Sequence, residues 1–282
     1  MQVIHTVNEM QKWAQNAKSQ GQKIGLVPTM GFLHAGHLSL VKSAKSRCDQ
    51  VAVSIFVNPI QFGPTEDLAT YPRDLERDVA LLAAEGVDVV FNPAPEEMYP
   101  GGFAAVVEIT SEMTTRLCGS SRPGHFSGVT TVVSKLFNIC LPDEAFFGQK
   151  DAQQLLVIEK MVRDLNFPVT IVRVPIKREA DGLAMSSRNV YLSDEERQLA
   201  LVLNQSLQKA YDLVKAGERN PAVVKAQIEV MIAAAPAARV DYIAVVSGED
   251  LSEINLLSGS VLIALAVGIG KTRLIDNLIM EV

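Results

Sequence analysis

Over its first 175 residues the chain alternates short apolar runs with stretches of helical period, and this alternation leaves few folds open. The apolar runs cover residues 24–28, 51–57, 87–91, 145–147 and 169–174. Helices are predicted between them: from after Asn8 to before Gly21, then over 38–47, 74–85, 129–140 and 151–165. Apolar strands separated by helices belong to a parallel sheet covered on both faces. The pattern changes after Pro175. Ser193 and Glu196 have capping-box spacing and open a helix that should run to Gly217. Asn220 and Pro221 open another, with proline at its first position. Two strand-like runs follow, 240–246 and 260–267, separated by turn-forming residues. The predicted fold class is α/β: a Rossmann-like doubly wound parallel sheet over residues 1–175, then a smaller C-terminal α+β domain over 176–282. A chain of 282 residues is long enough to bury both cores without disulfides or metal.

Composition removes whole classes. Hydrophobic residues make up 48% and charged residues 21%, which excludes collagen, low-complexity disorder and coiled coil. The net charge of −6 argues against a basic surface, so no nucleic-acid partner is expected. The longest clean apolar run, 261–267, is far short of the roughly 18–20 residues that span a bilayer, so no membrane partner is expected either. Cys48, Cys118 and Cys140 form no CxxC pair, hence neither a zinc ribbon nor a disulfide framework. Residues 1–20 carry no apolar secretory region. A reduced, cytoplasmic setting is expected.

The strongest local signal is Pro28-Thr29-Met30-Gly31-Phe32-Leu33-His34-Ala35-Gly36-His37, after the first predicted sheet strand and before a helix. Ligands of doubly wound sheets bind there, and helix N-termini favour phosphates. Two imidazoles three residues apart share a helical face and can donate to oxygens that gain charge in a transition state. A bare HxxH is more often a surface pair or half a metal site; the strand–Gly–HxGH–helix context is what raises it. A second cluster, Met185-Ser186-Ser187-Arg188-Asn189, suits a loop that closes on phosphates, although alone it would read as an interdomain loop. Gly268-Ile269-Gly270-Lys271-Thr272 imitates the end of a phosphate-binding loop, but Leu265 stands where its first glycine must be, so it reads as a turn.

HxGH followed by MSSRN resembles the nucleotidyltransferase superfamily that includes class I aminoacyl-tRNA synthetases. More narrowly, the chain resembles the pantothenate synthetase (pantoate–β-alanine ligase) family. The stretches that carry this are 26–37, 54–62, 71–73, 121–126, 147–154, 181–189 and 273–277. The resemblance implies ATP-dependent ligation of D-pantoate and β-alanine through a pantoyl adenylate, with Mg²⁺ accompanying ATP, in a cytoplasmic homodimer. Carried over by position, ATP meets Met30, Gly31, Phe32, Leu33, His34, Ala35, Gly36, His37, Gly148, Gln149, Lys150, Asp151, Lys177, Met185, Ser186, Ser187 and Arg188. His37, His34, Lys150 and Arg188 are the expected catalytic groups. Gln61, Gln154 and Asn58 are expected at pantoate, Gln61 and Tyr71 at β-alanine, and Asp78 near the metal, through water. Gln149 stands where many relatives carry Glu, which argues against a metal ligand at that position. A tRNA-binding synthetase fragment is the competing reading; the acidic net charge and the lack of a recognisable anticodon-binding region count against it. A non-catalytic nucleotide sensor is a third, opposed by the intact His34, His37, Lys150 and Arg188.

Overall fold

The computed structural model describes all 282 residues except Thr65 and Ala237. Strands β1 (Gln2–Ile4), β2 (Ile24–Thr29), β3 (Gln50–Ile55), β4 (Val89–Phe91), β5 (Glu144–Gly148) and β6 (Thr170–Val174) form a parallel sheet in the order β1-β4-β3-β2-β5-β6. Helices α1 (Val7–Ser19), α2 (Ala35–Lys45), α3 (Leu75–Ala84), α6 (His125–Cys140) and α7 (Ala152–Asp164) cover it, with one-turn helices α4 (Pro95–Met98) and α5 (Cys118–Ser121) in the connections. Successive strand residues point to opposite faces. Leu26, Ala52, Val89, Ala145 and Phe147 meet α1, α6 and α7. Val27, Val53, Val90 and Phe146 meet α2 and α3. Both faces of the four central strands are buried, which is why these read as apolar runs.

The chain reverses its direction of travel across the sheet between β2 and β5. In open α/β sheets the crevice at such a switch, outside the carboxyl ends of the strands, is where ligands bind. The chain leaves β2 into the residue 30–37 segment and β5 into residues 149–151.

Three-stranded antiparallel β7 (Ala238–Ser247), β8 (Ser260–Ile269) and β9 (Thr272–Glu281) make a second sheet. Ile243, Val245, Ile263 and Leu265 pack under α8 (Asp194–Ala200), α9 (Val202–Lys215) and α10 (Pro221–Ala233). Tyr242, Ala244, Leu262 and Ala264 pack against Cys118, Phe126, Leu156 and Val157 of the first unit. The central strand is therefore covered on both sides, which accounts for the apolar run 261–267.

Several predicted boundaries shift. Helix α2 begins at Ala35, so the HxGH residues form its first turn instead of preceding it. Helix α6 begins one turn earlier, at His125. The Ser193–Glu196 capping box forms as expected, but the helix is interrupted at Leu201, whose N–H bonds back only three residues, to the Gln198 carbonyl. Strand β1 is only three residues long and exists by pairing with β4. Strand β9 was not predicted; Gly270 and Lys271 are the two-residue turn that folds it onto β8. Among the described residues no helix is long and apolar enough to cross a membrane.

Candidate active site

The segment between β2 and α2 is held in a shape that few residue types accept. Gly31 has φ +83°, and a Cβ there would lie 3.0 Å from Ile55 Cγ2 and 3.1 Å from Asp78 Oδ2. Phe32 also sits at positive φ, 50°. Strain of that kind persists only when surrounding contacts enforce it. Asp78, 1% exposed, does so: its Oδ2 accepts the Phe32 N–H at 2.6 Å and its Oδ1 the Leu33 N–H at 2.7 Å. Arg77 braces the other side, donating to the Leu33 carbonyl at 3.0 Å with its guanidinium over the Phe32 ring.

His34 is the N-cap of α2. Its Nδ1 accepts the Gly36 N–H at 3.1 Å, while His37 Nδ1 accepts the His34 N–H at 3.3 Å. This is a reciprocal cap built from two histidines, and the ring centroids are 4.0 Å apart. The pair thus comes together through the cap, not through two positions on one helical face. A Cβ on Gly36 would meet His34 Nδ1 and Cε1 at 2.8 Å, so glycine is required for the ring to lie there. Burial, with Lys150 nearby, pushes His34 down to about 4. Burial holds His37 well below the usual histidine value, with His34 next to it adding to the effect. Both rings are therefore neutral near pH 7. Because each Nδ1 accepts a backbone N–H, the proton of each ring resides on Nε2. The motif presents two uncharged N–H donors at a helix N-terminus.

Beside them lies an amide-lined recess. Asn58 Nδ2 donates to Gln61 Oε1 at 3.0 Å and to the Gly128 carbonyl at 3.1 Å, and Asn58 Oδ1 accepts from Tyr99 at 2.7 Å. Gln61 Nε2 donates to Met30 Sδ at 3.2 Å. A thioether is a weak acceptor, so this donor has a poor partner and suits a ligand oxygen. His125 Nδ1 donates to the Gln61 carbonyl at 2.9 Å, and its Nε2 accepts from Arg122 at 2.9 Å. Arg122 in turn forms a fork with both oxygens of Glu66. His125 therefore holds the backbone of Gln61. Arg122 was given no role from the sequence, yet it lines the cavity; its only signal was membership of the 121–126 stretch.

One cavity receives Met30, His34, Gly36, His37, Asn58, Gln61, Tyr71, Gly148, Lys150, Asp151, Gln154, Lys177, Met185, Ser186, Ser187 and Arg188. Gly31, Phe32, Leu33 and Ala35 shape the loop without lining it. Two further expectations are revised. Gln149 is turned away: it is 9% exposed, and its Nε2 donates to Asn277 Oδ1 at 3.2 Å. Asp78 is expected near the metal through water, but both its oxygens are taken by backbone N–H groups and it does not line the cavity, which makes it a clamp of this loop. Arg188 does line the cavity, but its guanidinium forks onto Asp67 at 3.0 and 2.8 Å. Nothing in the sequence marked Asp67, because the partner is 121 residues away. Among the described lining residues, Arg122, Lys150, Lys177 and Arg188 are set against one carboxylate, Asp151. Arg122 and Arg188 are already paired with Glu66 and Asp67, so in a chain of net charge −6 the positive excess at the cavity rests on Lys150 and Lys177.

Known proteins resemble this chain along its whole length. The pantothenate synthetase of Syntrophomonas wolfei subsp. wolfei is 62% identical over 282 residues, covering 100% of both chains. That of Carboxydothermus hydrogenoformans is 58% identical over the same span, again with 100% of both covered. The crystal structure of pantothenate synthetase from Thermus thermophilus superposes with a TM-score of 0.94 at 46% identity, covering 99% of each chain. The pantoate-beta-alanine ligase of Francisella tularensis, solved as a complex with beta-gamma ATP and beta-alanine, superposes with a TM-score of 0.79 at 38% identity, covering 99% of this chain and 97% of that one. The sequence profile described as Pantoate-beta-alanine ligase matches residues 2–279. With that match running from β1 into β9, the chain belongs to the pantoate–β-alanine ligase family.

Proposed function

We propose that this cavity joins D-pantoate to β-alanine in two half-reactions that share one set of residues. In the first, a pantoate carboxylate oxygen attacks the α-phosphorus of ATP. An acyl–O–P bond forms, the bond from that phosphorus to the bridging oxygen breaks, and pyrophosphate leaves with the electron pair. In the second, the β-alanine amine attacks the acyl carbon, the acyl–O bond breaks, AMP leaves, and the amine gives up a proton.

The observation that carries this reading is the convergence, in one cavity, of the two Nε2–H imidazoles and a cluster of cationic side chains with the amide-lined recess. Gln61 and Gln154 bind the hydroxyls and carboxylate of pantoate without adding negative charge beside an anionic nucleophile, and Asn58 borders pantoate while its amide holds Gln61 in place. Tyr71, whose ring meets Phe62 edge-on, borders the β-alanine position. His37 and His34 donate to phosphate oxygens as charge moves onto the leaving group, and Lys150, Ser186, Ser187 and Arg188 hold the triphosphate. Gly148, Asp151, Lys177 and Met185 border the nucleotide. Because substrate carboxylate is the nucleophile, the residues contribute position and electrostatics and form no covalent bond of their own.

Mg²⁺ fits the site as a companion of ATP. Among the described residues there is no group of three or more His, Cys, Asp or Glu that could hold an ion. Phosphate oxygens and water would supply most of its ligands, with Asp151 the nearest lining carboxylate, and its chemistry would be to neutralise the triphosphate. The reading assigns the sheet cavity to residues 1–175 and the phosphate loop to residues 176–282. It also takes the chain to be a cytoplasmic homodimer, in keeping with three free cysteines and the family resemblance.

The test is isotope exchange. Labelled pyrophosphate should enter ATP when pantoate is present and β-alanine absent, and omission of pantoate should abolish it. Exchange that strictly required β-alanine would refute the two-step scheme.

A further inference from the structure

Two adjacent residues of the last strand tie together the two phosphate-facing parts of the cavity. Asn277 is 4% exposed and lies opposite Ala264, on the face of the second sheet that meets the first unit. Its Nδ2 donates to the backbone carbonyls of Gln149 at 3.0 Å and Lys150 at 2.9 Å, and its Oδ1 accepts from Gln149 Nε2 at 3.2 Å. Both of its donor hydrogens are used on the backbone that presents Lys150.

Asp276 is 2% exposed and, one step along the strand, points to the opposite face. Its two oxygens take the Arg178 guanidinium in a fork, at 2.7 and 3.0 Å. Arg178 belongs to a tight antiparallel turn. It bridges Ala184 and donates to the Gly182 carbonyl, and the Met185 N–H bonds the Lys177 carbonyl at 3.0 Å. Met185, Ser186, Ser187 and Arg188 follow directly. One pleat of β9 thus fixes Lys150 on one side and the phosphate loop on the other. Polar groups buried this deeply are costly unless fully paired; apart from the Asn277 N–H, which Asp276 also accepts, the partners here belong to segments that border the cavity. Neither Asn277 nor Asp276 lines the cavity at the HxGH turn; both border an adjoining recess that shares Lys150, Asp151, Gln154, Ser186 and Arg188 with it, where their polar groups are taken up by the pairings above.

We propose that Asp276 and Asn277 are positioning residues for adenylate formation: they set the distance between Lys150 and the Met185–Arg188 loop so that both grip one triphosphate. The inference rests on the assignment of Lys150 and that loop to ATP, and its test separates the two ideas. Misplacing a group by an ångström costs about 10²-fold in rate. Asn277→Ala should therefore slow adenylate formation by about 10–10²-fold in single-turnover assays. Reaction of supplied pantoyl adenylate with β-alanine should stay near the unmodified rate, since no triphosphate is held in that step.

The double variant Asn277→Ala/Lys150→Ala decides the mechanism. If Asn277 acts through Lys150, its replacement should cost almost nothing further once Lys150 is gone. Additive losses, or equal losses in both half-reactions, would overturn the positioning role while leaving Lys150 at ATP. A Lys150→Ala enzyme with normal adenylation would overturn both. Should Asn277→Ala not fold, Arg178→Lys carries the same question at a more exposed position: it keeps the charge, loses the fork, and should weaken ATP use and adenylation while sparing the second half-reaction. Normal adenylation in folded Arg178→Lys would overturn the proposal.

Discussion

Replacing Asp78 by asparagine separates a loop clamp from a metal neighbour. Asn is nearly isosteric with Asp, but it has one accepting oxygen where the carboxylate has two. In the structure both Asp78 oxygens are taken, at 2.6 and 2.7 Å, by the N–H groups of Phe32 and Leu33. Asp78→Asn must leave one of these buried donors facing an NH₂ group. Hydrogen bonds to charged groups contribute about 1.5–3 kcal/mol each, so losing one should destabilise the protein by about that amount. At roughly 2–4 °C per kcal/mol for a chain of this size class, the melting temperature should drop by about 3–12 °C. Asp78→Ala loses both and should fall about twice as far. The loss is local to the segment that carries His34 and His37, so adenylate formation should drop as well. The Mg²⁺ concentration giving half-maximal activity should not move, because the carboxylate does not reach the cavity. Calorimetry and a Mg²⁺ titration of the exchange reaction measure the two quantities. An unchanged melting temperature with a raised Mg²⁺ requirement would refute the clamp and restore the metal role.

Other substitutions test the remaining assignments. His37→Ala should fold and bind ATP, yet lose about 10²–10³-fold in pantoyl adenylate formation while sparing the second half-reaction; near-normal single-turnover adenylation would make the histidine a bystander. Gln61→Ala should raise KM for pantoate by about 10–100-fold with little change for ATP, and equal changes in both would reduce Gln61 to a structural role. Asp67→Asn releases Arg188 from its fork and should lower KM for ATP, by up to about fivefold for a half-exposed pair; a raised KM would mean that the pair helps to assemble the site. His34 and His125 are both held down to about 4 by burial. The unfolded chain therefore takes up protons near the ordinary value of about 6.5 while the folded one does not. Stability should be fully present above that pH and fall as pH drops from about 6.5 to about 4, as acid titration of the unfolding free energy would reveal. A flat profile across that window would show the imidazoles to be less desolvated than their burial implies.

How much was legible in advance follows from how local each signal is. Periodicity marked five of the six parallel strands: β2 to β5 because they are buried on both faces, and the edge strand β6 by its β-branched run. It passed over β1, which has three residues and no pattern of its own, and β9, whose run is broken by Arg273, Asp276 and Asn277. Two of those polar residues sit in a strand because each has a buried partner far away in sequence: Arg178 for Asp276, Gln149 and Lys150 for Asn277. The HxGH and MSSRN segments stood out as motifs, yet their roles relative to one another did not. That His34 and His37 cap each other, and so share one neutral tautomer, depends on α2 starting at Ala35.

By itself the sequence determined the α/β class, the position of the HxGH turn after the apolar run at 24–28, and the resemblance that names the chemistry. These rest on short-range spacing, which survives in a linear string. Only the tertiary structure decided what each charged or amide group is spent on. Asp78 went to backbone N–H groups, Gln149 to Asn277, Arg188 to Asp67, and Gln61 was left with only a weak sulfur acceptor. A buried polar group must find a partner, and which one it finds is fixed by the packing of elements far apart in the chain, 128 residues for Gln149 and Asn277.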